Sequence, residues 1–312
     1  MATVEHVSKK KIRRRKKMTK GDRLFAIFAW TFFILFSIVS VYPVLHIVAA
    51  SFSGAYDLFY SGKAFLIPKR PTIQSYVEIL FHRSNIRQAA LITIGRTALG
   101  TAAGLLANAF LAYILSRKKF LFKSGLSLFW IFTMYATAGW VPMVIIFKRL
   151  RLLSSFWVYI LPGLISAFHV LVIKTYMGNI PDSLEESAQL EGAGHLKIFW
   201  SIVSPICKPV YATIAFFIAV QHWNSWFDAL LYNRMCYKLS TLQYELVKYM
   251  TATVSSPTST NIHSPTDPEV NGITPQSISA VVCVLTILPV IILYPFLQKY
   301  FANGLRIRGI KD

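Results

Sequence analysis

The chain of 312 residues is 54% hydrophobic and 15% charged, and its mean hydropathy is +0.49. That balance excludes an ordinary soluble domain and places the chain among membrane proteins. The formal net charge of +20 would suggest a nucleic-acid partner in a soluble protein. Here much of it flanks apolar runs, so it reads as a topology signal and no nucleic acid is expected.

Residues 1–23 form a basic tail centred on KKKIRRRKK. A positive-inside signal accounts for it, with binding to anionic lipid headgroups as the sharper alternative. Either way the N-terminus is expected in the cytoplasm. Span one runs from about Leu24 to Ala50, longer than the ~20 residues that cross hydrocarbon. It lacks a small-residue cleavage site at its end and is expected to remain as an anchor. Nothing near His46 suggests a metal partner. Residues 51–86 read as an external, turn-rich segment, with Pro71 to Phe81 able to form a short amphipathic helix. Span two, about Gln88 to Leu115, is rich in small residues (Gly95, Ala98, Gly100, Ala102, Ala103, Gly104, Ala107) that let helices pack closely in lipid. Arg96 is its odd member. It is either a functional group inside the membrane or, being near the outer end, a side chain snorkelling to the interface. The basic loop of Arg117, Lys118, Lys119 and Lys123 is assigned to the cytoplasm.

Span three runs from about Ser124 to Phe147, and the turn from Lys148 to Ser155 is assigned outside despite its basic character. Span four runs from about Phe156 to Met177 and holds His169, read as a packing residue. Span five runs from about Pro209 to Leu231. Near its outer end Trp223, Asn224, Trp226 and Asp228 can stack on sugar rings and bond hydroxyls. An interfacial aromatic belt explains the same residues. Residues 232–275 form a second external segment, with a candidate helix from Leu239 and a Ser/Thr/Pro-rich stretch, TATVSSPTSTNIHSPTDPEV. Span six runs from about Gln276 to Phe296, and the basic tail from Gln298 is cytoplasmic. The fold class is therefore an all-α membrane protein with six transmembrane helices: a tail, 1–23, and a transmembrane domain, 24–312.

Between spans four and five lies the long polar interruption 182–209, reading DSLEESAQLEGAGHLKIFWSIVSPICKP. Ser183 is placed to N-cap a helix and Glu186 to close a capping box. Gly192 or Gly194 suits the left-handed position just past the helix end. A second short helix, about His195 to Val203, is expected to stop at Pro205. The result is a helix–turn–helix loop presented to the cytoplasm.

The run Glu186-Ser187-Ala188, followed by Gly192 and later by Ile202 and Pro205, resembles the coupling loop of ABC importer permeases. The family pattern is Glu-Ala-Ala, three residues, Gly and, further on, Ile-x-x-Pro. Ser187 replaces the first Ala, and Glu191 stands where Asp is usual. The resemblance covers nearly the whole chain. Trp223 to Leu230, Thr241-Leu242-Gln243 and the ending from Pro295 to Phe301 with Gly304 are similar to carbohydrate-type permeases. They look most like a subgroup tied to complex polysaccharide oligomers, including uronic-acid sugars. The resemblance implies alternating access through two permease subunits, an external binding protein that delivers the sugar, and two ATPase subunits inside. It implies that Glu186 contacts the ATPase, Ala188 forms the close-packing face and Gly192 makes the turn. Glu185, Ser187, Glu191, Ala193, Ile202 and Pro205 complete the coupling site. The expected setting is a bacterial cytoplasmic membrane, with both termini inside.

No cofactor is expected in the chain itself, because it has no phosphate-binding Gly-x-x-x-x-Gly-Lys-Ser/Thr loop, and ATP belongs to the partner. No metal pattern of the His-Glu-x-x-His or Cys-x-x-Cys type occurs. Cys207, Cys236 and Cys283 suggest no disulfide framework. An intramembrane enzyme would need paired catalytic groups at depth, and only isolated Arg96, His169 and His222 are seen. A stand-alone secondary transporter would be expected to show an internal repeat and buried carboxylates. An ABC importer of a non-sugar solute is the remaining alternative.

Overall fold

In the computed structural model the described residues are 19–54, 67–68, 71–118, 120–136, 138–255 and 275–306, with backbone only for 252–255, 275 and 296–306. The basic tail up to residue 18, residues 55–66 and 69–70 of the first external segment, the bulk of the Ser/Thr/Pro-rich stretch and the last six residues lie outside them. Among the described residues the regular structure is helical, with one isolated antiparallel bridge between Ser53 and Pro71.

The chain divides into two compact units, one ending at His46 and the other beginning at Ile47. The first is the greater part of helix α1 (Lys20–Ser51). It opens with a reciprocal cap: Asp22 N–H donates to Thr19 Oγ1 at 3.2 Å, and Thr19 N–H donates to Asp22 Oδ2 at 2.9 Å. Leu24, Phe28, Trp30 and Phe36 point in different directions and are all exposed. A helix that is apolar on every side suits lipid.

The second unit is organised on helix α3 (Ser84–Ser116). Before it come α2 (Gln74–Val77) and a wide turn, Glu78–His82. After it come α4 (Lys123–Tyr135), α5 (Trp140–Arg149), two 3₁₀ turns, α6 (Ala167–Met177), α7 (Asp182–Leu190), α8 (His195–Ile198), α9 (Lys208–Asn224), α10 (Phe227–Tyr232), α11 (Leu242–Ser255) and α12 (Pro275–Arg306). Most of the buried residues of α3 run Ile86, Ala89, Thr93, Arg96, Gly100, Gly104, Asn108, Ala112, Leu115, with Ala109 and Tyr113 buried beside them near its end. Steps of three and four put them on one face, and α9 and α6 pack along it. The glycines permit this closeness. At Gly104 a methyl group would already touch Ile218 and the Leu164 carbonyl.

The polar members of that face each satisfy backbone where another part of the chain is interrupted or begins a helix. Asn108 donates to the Leu164 carbonyl at 3.0 Å and accepts from the Ser166 N–H at 2.9 Å, across the gap before α6. Arg96 donates to the Ser225 carbonyl at 3.3 Å, in the gap between α9 and α10. Thr93 accepts the Leu242 N–H at 2.9 Å, at the start of α11. Irregular backbone at membrane depth is tolerated where protein groups replace the missing hydrogen bonds.

Among the described residues three helices are long and apolar enough to cross a membrane: Lys20–Ser51, Ser84–Ser116 and Gln276–Pro295. Three bent pairs bring the number up to six if each is one span. They are Lys123–Tyr135 with Trp140–Arg149 at 115°, Phe156–Gly163 with Ala167–Met177 at 49°, and His195–Ile206 with Lys208–Asn224 at 84°. Spans three and four are thus broken where the apolar pattern suggested continuous helices. Span five stops at Asn224 instead of Leu231, because the chain extends at Ser225 before α10. Arg96 does not snorkel: it is 1% exposed and paired with Asp228, its guanidinium 4.4 Å from the centre of the Tyr159 ring. A buried charge needs such a partner. The candidate helices near Pro71–Phe81 and after Leu239 are present as α2 with its wide turn and as α11.

Candidate functional site

Segment 182–209 is built as two helical pieces around a tight turn. Helix α7 begins at Asp182, two residues earlier than a Ser183 cap requires. Its N-cap is Pro181, at φ −59° and ψ 132°, with no side-chain cap bond. The capping box of Ser183 and Glu186 is therefore not formed. The fixed proline φ sets the helix start, and Asp182 supplies the acidic first turn that the helix dipole favours. Asp182 pairs with Lys118. Hydrogen bonding to Lys118 holds its carboxyl below the usual range, and the same bond pushes the Lys118 ammonium up.

The far end of α7 closes on Gly192. Its N–H donates to the Gln189 carbonyl at 3.0 Å, and Ala193 N–H donates to the Ala188 carbonyl at 2.9 Å. This pair of bonds is a Schellman motif, with Gly192 in the left-handed region at φ +83°. Of the two glycines allowed by the sequence, Gly192 makes the turn; Gly194 is extended and precedes α8. A methyl group at Gly192 meets no neighbour, so the cost of a substitution is backbone strain alone. Gly192→Ala is expected to lower stability by about 1–2 kcal/mol, read as earlier thermal loss of the monodisperse protein in detergent.

Helix α8 continues through a wide turn, Phe199–Val203, and a last turn, Ser204–Ile206, so it does not stop at Pro205. The π-type turn just before the proline shifts the carbonyls that its ring would meet in a regular helix. The chain bends at Cys207, and α9 begins there.

The loop has an inner and an outer face. Ala188 is buried in the same apolar cluster as Val170, Ile173, Ile198 and Phe199, with Ala193 and Ile202 partly buried against it. Ala188 thus packs tightly, but within its own chain. Glu185 is turned inward and pairs with Arg117, which follows the last residue of α3. On the outer face Glu186, Ser187, Glu191 and Pro205 are exposed, and Leu190 is 90% exposed among them, with Leu184 and Leu196 also open. From the sequence Arg117 was read only as part of the basic cytoplasmic loop, and the exposed leucines were not singled out. A leucine on the polar side of an otherwise amphipathic helix is the signal that marks them.

The second candidate group does not form one open platform. Trp223 Nε1–H donates to the Thr286 carbonyl at 2.8 Å. Trp226 packs against the cluster of Phe147, Tyr159 and Tyr232. Asp228 is held by Arg96. Asn224, at the end of α9, is the exposed member of the four. His169 and His222 are both buried, and among the described residues no group of three or more His, Cys, Asp or Glu could hold a metal ion.

No protein-family model matches the chain. It is 34% identical over 292 residues to the polygalacturonan/rhamnogalacturonan transport system permease protein YtcP of Bacillus subtilis (strain 168), covering 93% of this chain and 99% of that one. It is 33% identical to protein LplC of the same organism, covering 94% and 97%. Among solved structures it superposes with a TM-score of 0.79 and 28% identity on a bacterial ABC transporter involved in the import of the acidic polysaccharide alginate, over 91% of this chain and 98% of that one. The likeness to YtcP is full-length at a third identity, and the polar face of α3 and the exposed loop belong to a transport protein and not to an enzyme. The chain belongs to the family of carbohydrate ABC transport permeases.

Proposed function

We propose that the chain is one transmembrane subunit of an ATP-driven importer for oligosaccharides, uronic-acid-containing ones included, with segment 182–209 as its contact to the ATPase. The observation that carries this reading is the outer face of α7 and α8. It combines two open carboxylates, Glu186 and Glu191, with exposed Leu184, Leu190 and Leu196 on a rigidly capped turn. An exposed apolar group rimmed by charge is a docking surface. The cargo follows from the polygalacturonan/rhamnogalacturonan and alginate systems to which the chain is similar. In this reading six spans cross the cytoplasmic membrane, counting each bent pair as one. Both termini and the loop face the cytoplasm, and residues 1–23 are a basic tail before the domain 24–312. A second permease subunit, two ATPase subunits and an external binding protein complete the assembly. ATP is bound by the ATPase subunits, and this chain needs no cofactor. Glu186 and Glu191 are polar contacts to the ATPase, with Ser187 and Pro205 at the rim. Ala188, Ala193 and Ile202 seat the loop on its own subunit, and Gly192 sets the turn between the two helices. Asn224, framed by Trp223, Trp226 and Asp228, marks the outer end of the sugar path.

The test is copurification from the native membrane. An ATPase is expected to accompany the wild-type chain. Glu186→Ala is expected to weaken that association, and Gly192→Arg to abolish it by adding strain and a bulky cation on the outer face. An ATPase absent from the wild type, or equally retained by both variants, would remove the coupling assignment.

A further inference from the structure

Helix α7 is tied to α3 by two charged pairs of different character. Lys118 and Asp182 are open to solvent, with side chains 76% and 52% exposed. Such a pair contributes little and screens readily. Arg117 and Glu185 are 18% and 12% exposed. The Arg117 guanidinium is mounted on α3. Its Nε and Nη2 donate to Ser116 Oγ at 3.0 and 2.8 Å, and its Cζ lies over the Tyr113 ring, 4.6 Å from the ring centre. Nη1 is left to reach Glu185 on α7. Next to it, Tyr113 OH donates to the His195 carbonyl at 3.4 Å, touching the start of α8. Ser116, Tyr113 and Arg117 thus form a bracket at one end of a continuous 33-residue helix. At about 1.5 Å per residue that helix is about 50 Å long. Along its length it carries the Gly100–His222 approach and the Arg96–Asp228 pair.

We propose that Arg117 is the positioning residue that fastens the coupling helix α7 to α3, so that displacement of the loop is delivered to α3 as a rod. The proposal rests on the coupling reading of segment 182–209. Packing around Ala188 also joins the loop to the body, but apolar side chains can slide past one another. A half-buried bidentate-capable guanidinium, stacked and hydrogen-bonded on one side, fixes both distance and orientation.

The experiment uses the complex purified from its native membrane, in a Cys236→Ser, Cys283→Ser background. Ser84→Cys, exposed at the far end of α3, carries a bimane fluorophore. Trapping with ATP and vanadate is expected to change the bimane emission in the otherwise wild-type chain. In Arg117→Ala the change is expected to fall about tenfold, while the ATPase still copurifies. Arg117→Lys is expected to restore it in part, and Arg117→Glu with Glu185→Arg to restore it more fully than Arg117→Glu alone. Recovery by exchanged charges is a result that a merely structural loss would not give. An undiminished signal in Arg117→Ala, no signal in the otherwise wild-type chain, or a charge exchange no better than Arg117→Glu alone overturns the proposal. Failure of any ATPase to copurify with the wild type would instead overturn the coupling reading beneath it.

Discussion

Arg96→Met is expected to destabilise the folded protein by about 3–5 kcal/mol. The guanidinium is 1% exposed and holds the Asp228 carboxylate and the Ser225 carbonyl, just beyond the end of α9, and lies over the Tyr159 ring. Methionine fills much of the volume but leaves Asp228 without its counter-charge and the Ser225 carbonyl without its donor. The cost is that of an uncompensated buried charge and not that of one lost bond. Arg96→Lys retains the charge yet loses the fork and the stacking, so an intermediate loss is expected. Arg96→Met with Asp228→Asn removes both charges and should recover a large part of the stability. The measurement is the temperature at which half of the detergent-purified protein ceases to run as a monodisperse peak. A single variant as stable as the wild type, or a double variant no better than the single, would contradict the assignment of that pair.

Gly100→Val is expected to push α3 and α9 apart, with a loss of at least about 1–3 kcal/mol. A Cβ at Gly100 would overlap the imidazole of His222, which is itself buried. Gly100→Ala meets the same ring and is expected to destabilise despite the better helix propensity of alanine. At Gly104 the new Cβ would lie 3.5 Å from Ile218, an ordinary contact. Gly104→Ala should therefore be neutral or gain up to about 1 kcal/mol from propensity. The contrast between two glycines one turn apart on one face separates steric exclusion from a general intolerance of change. Combining Gly100→Ala with His222→Ala should relieve the clash. The same heated-detergent measurement reads all four proteins, and equal behaviour of Gly100→Ala and Gly104→Ala would contradict the close approach.

The regions that became helices were legible because apolar composition marks them directly. The left-handed turn at Gly192 was legible because so few residues accept that conformation. The interruptions near residues 164–166 and 225–226 were not. An apolar run has the same composition whether its helix continues or breaks, and what permits the break is a side chain elsewhere. Asn108 lies 56 positions from Leu164, and Arg96 lies 132 positions from Asp228. The snorkelling reading of Arg96 failed for that reason: without its partner, the nearest refuge for the charge is the interface. The start of α7 was misread because Ser-x-x-Glu is a local pattern, whereas Pro181 and the Lys118 pairing with Asp182 decide the first turn. Pro205 was read as a stop because the sequence does not announce the wide turn that accommodates it. Among Trp223, Asn224, Trp226 and Asp228, residue type suggested ligand chemistry, but three of the four side chains are spent on contacts within the fold.

The polar face of α3 also bears on how the protein is made. The partners of Asn108, Arg96 and Thr93 lie 56, 132 and 149 positions further along the chain. When α3 leaves the ribosome none of them has been synthesised. A guanidinium at mid-helix then opposes insertion by about 3 kcal/mol, which the surrounding Leu, Ile and Ala must outweigh unaided. Nascent chains shorter than 228 residues carry that charge without its counter-ion, so the helix is stably housed only late in synthesis. Quality-control proteases that survey the bilayer for unpaired charge would find their target here, in the interval between the making of α3 and the making of α10.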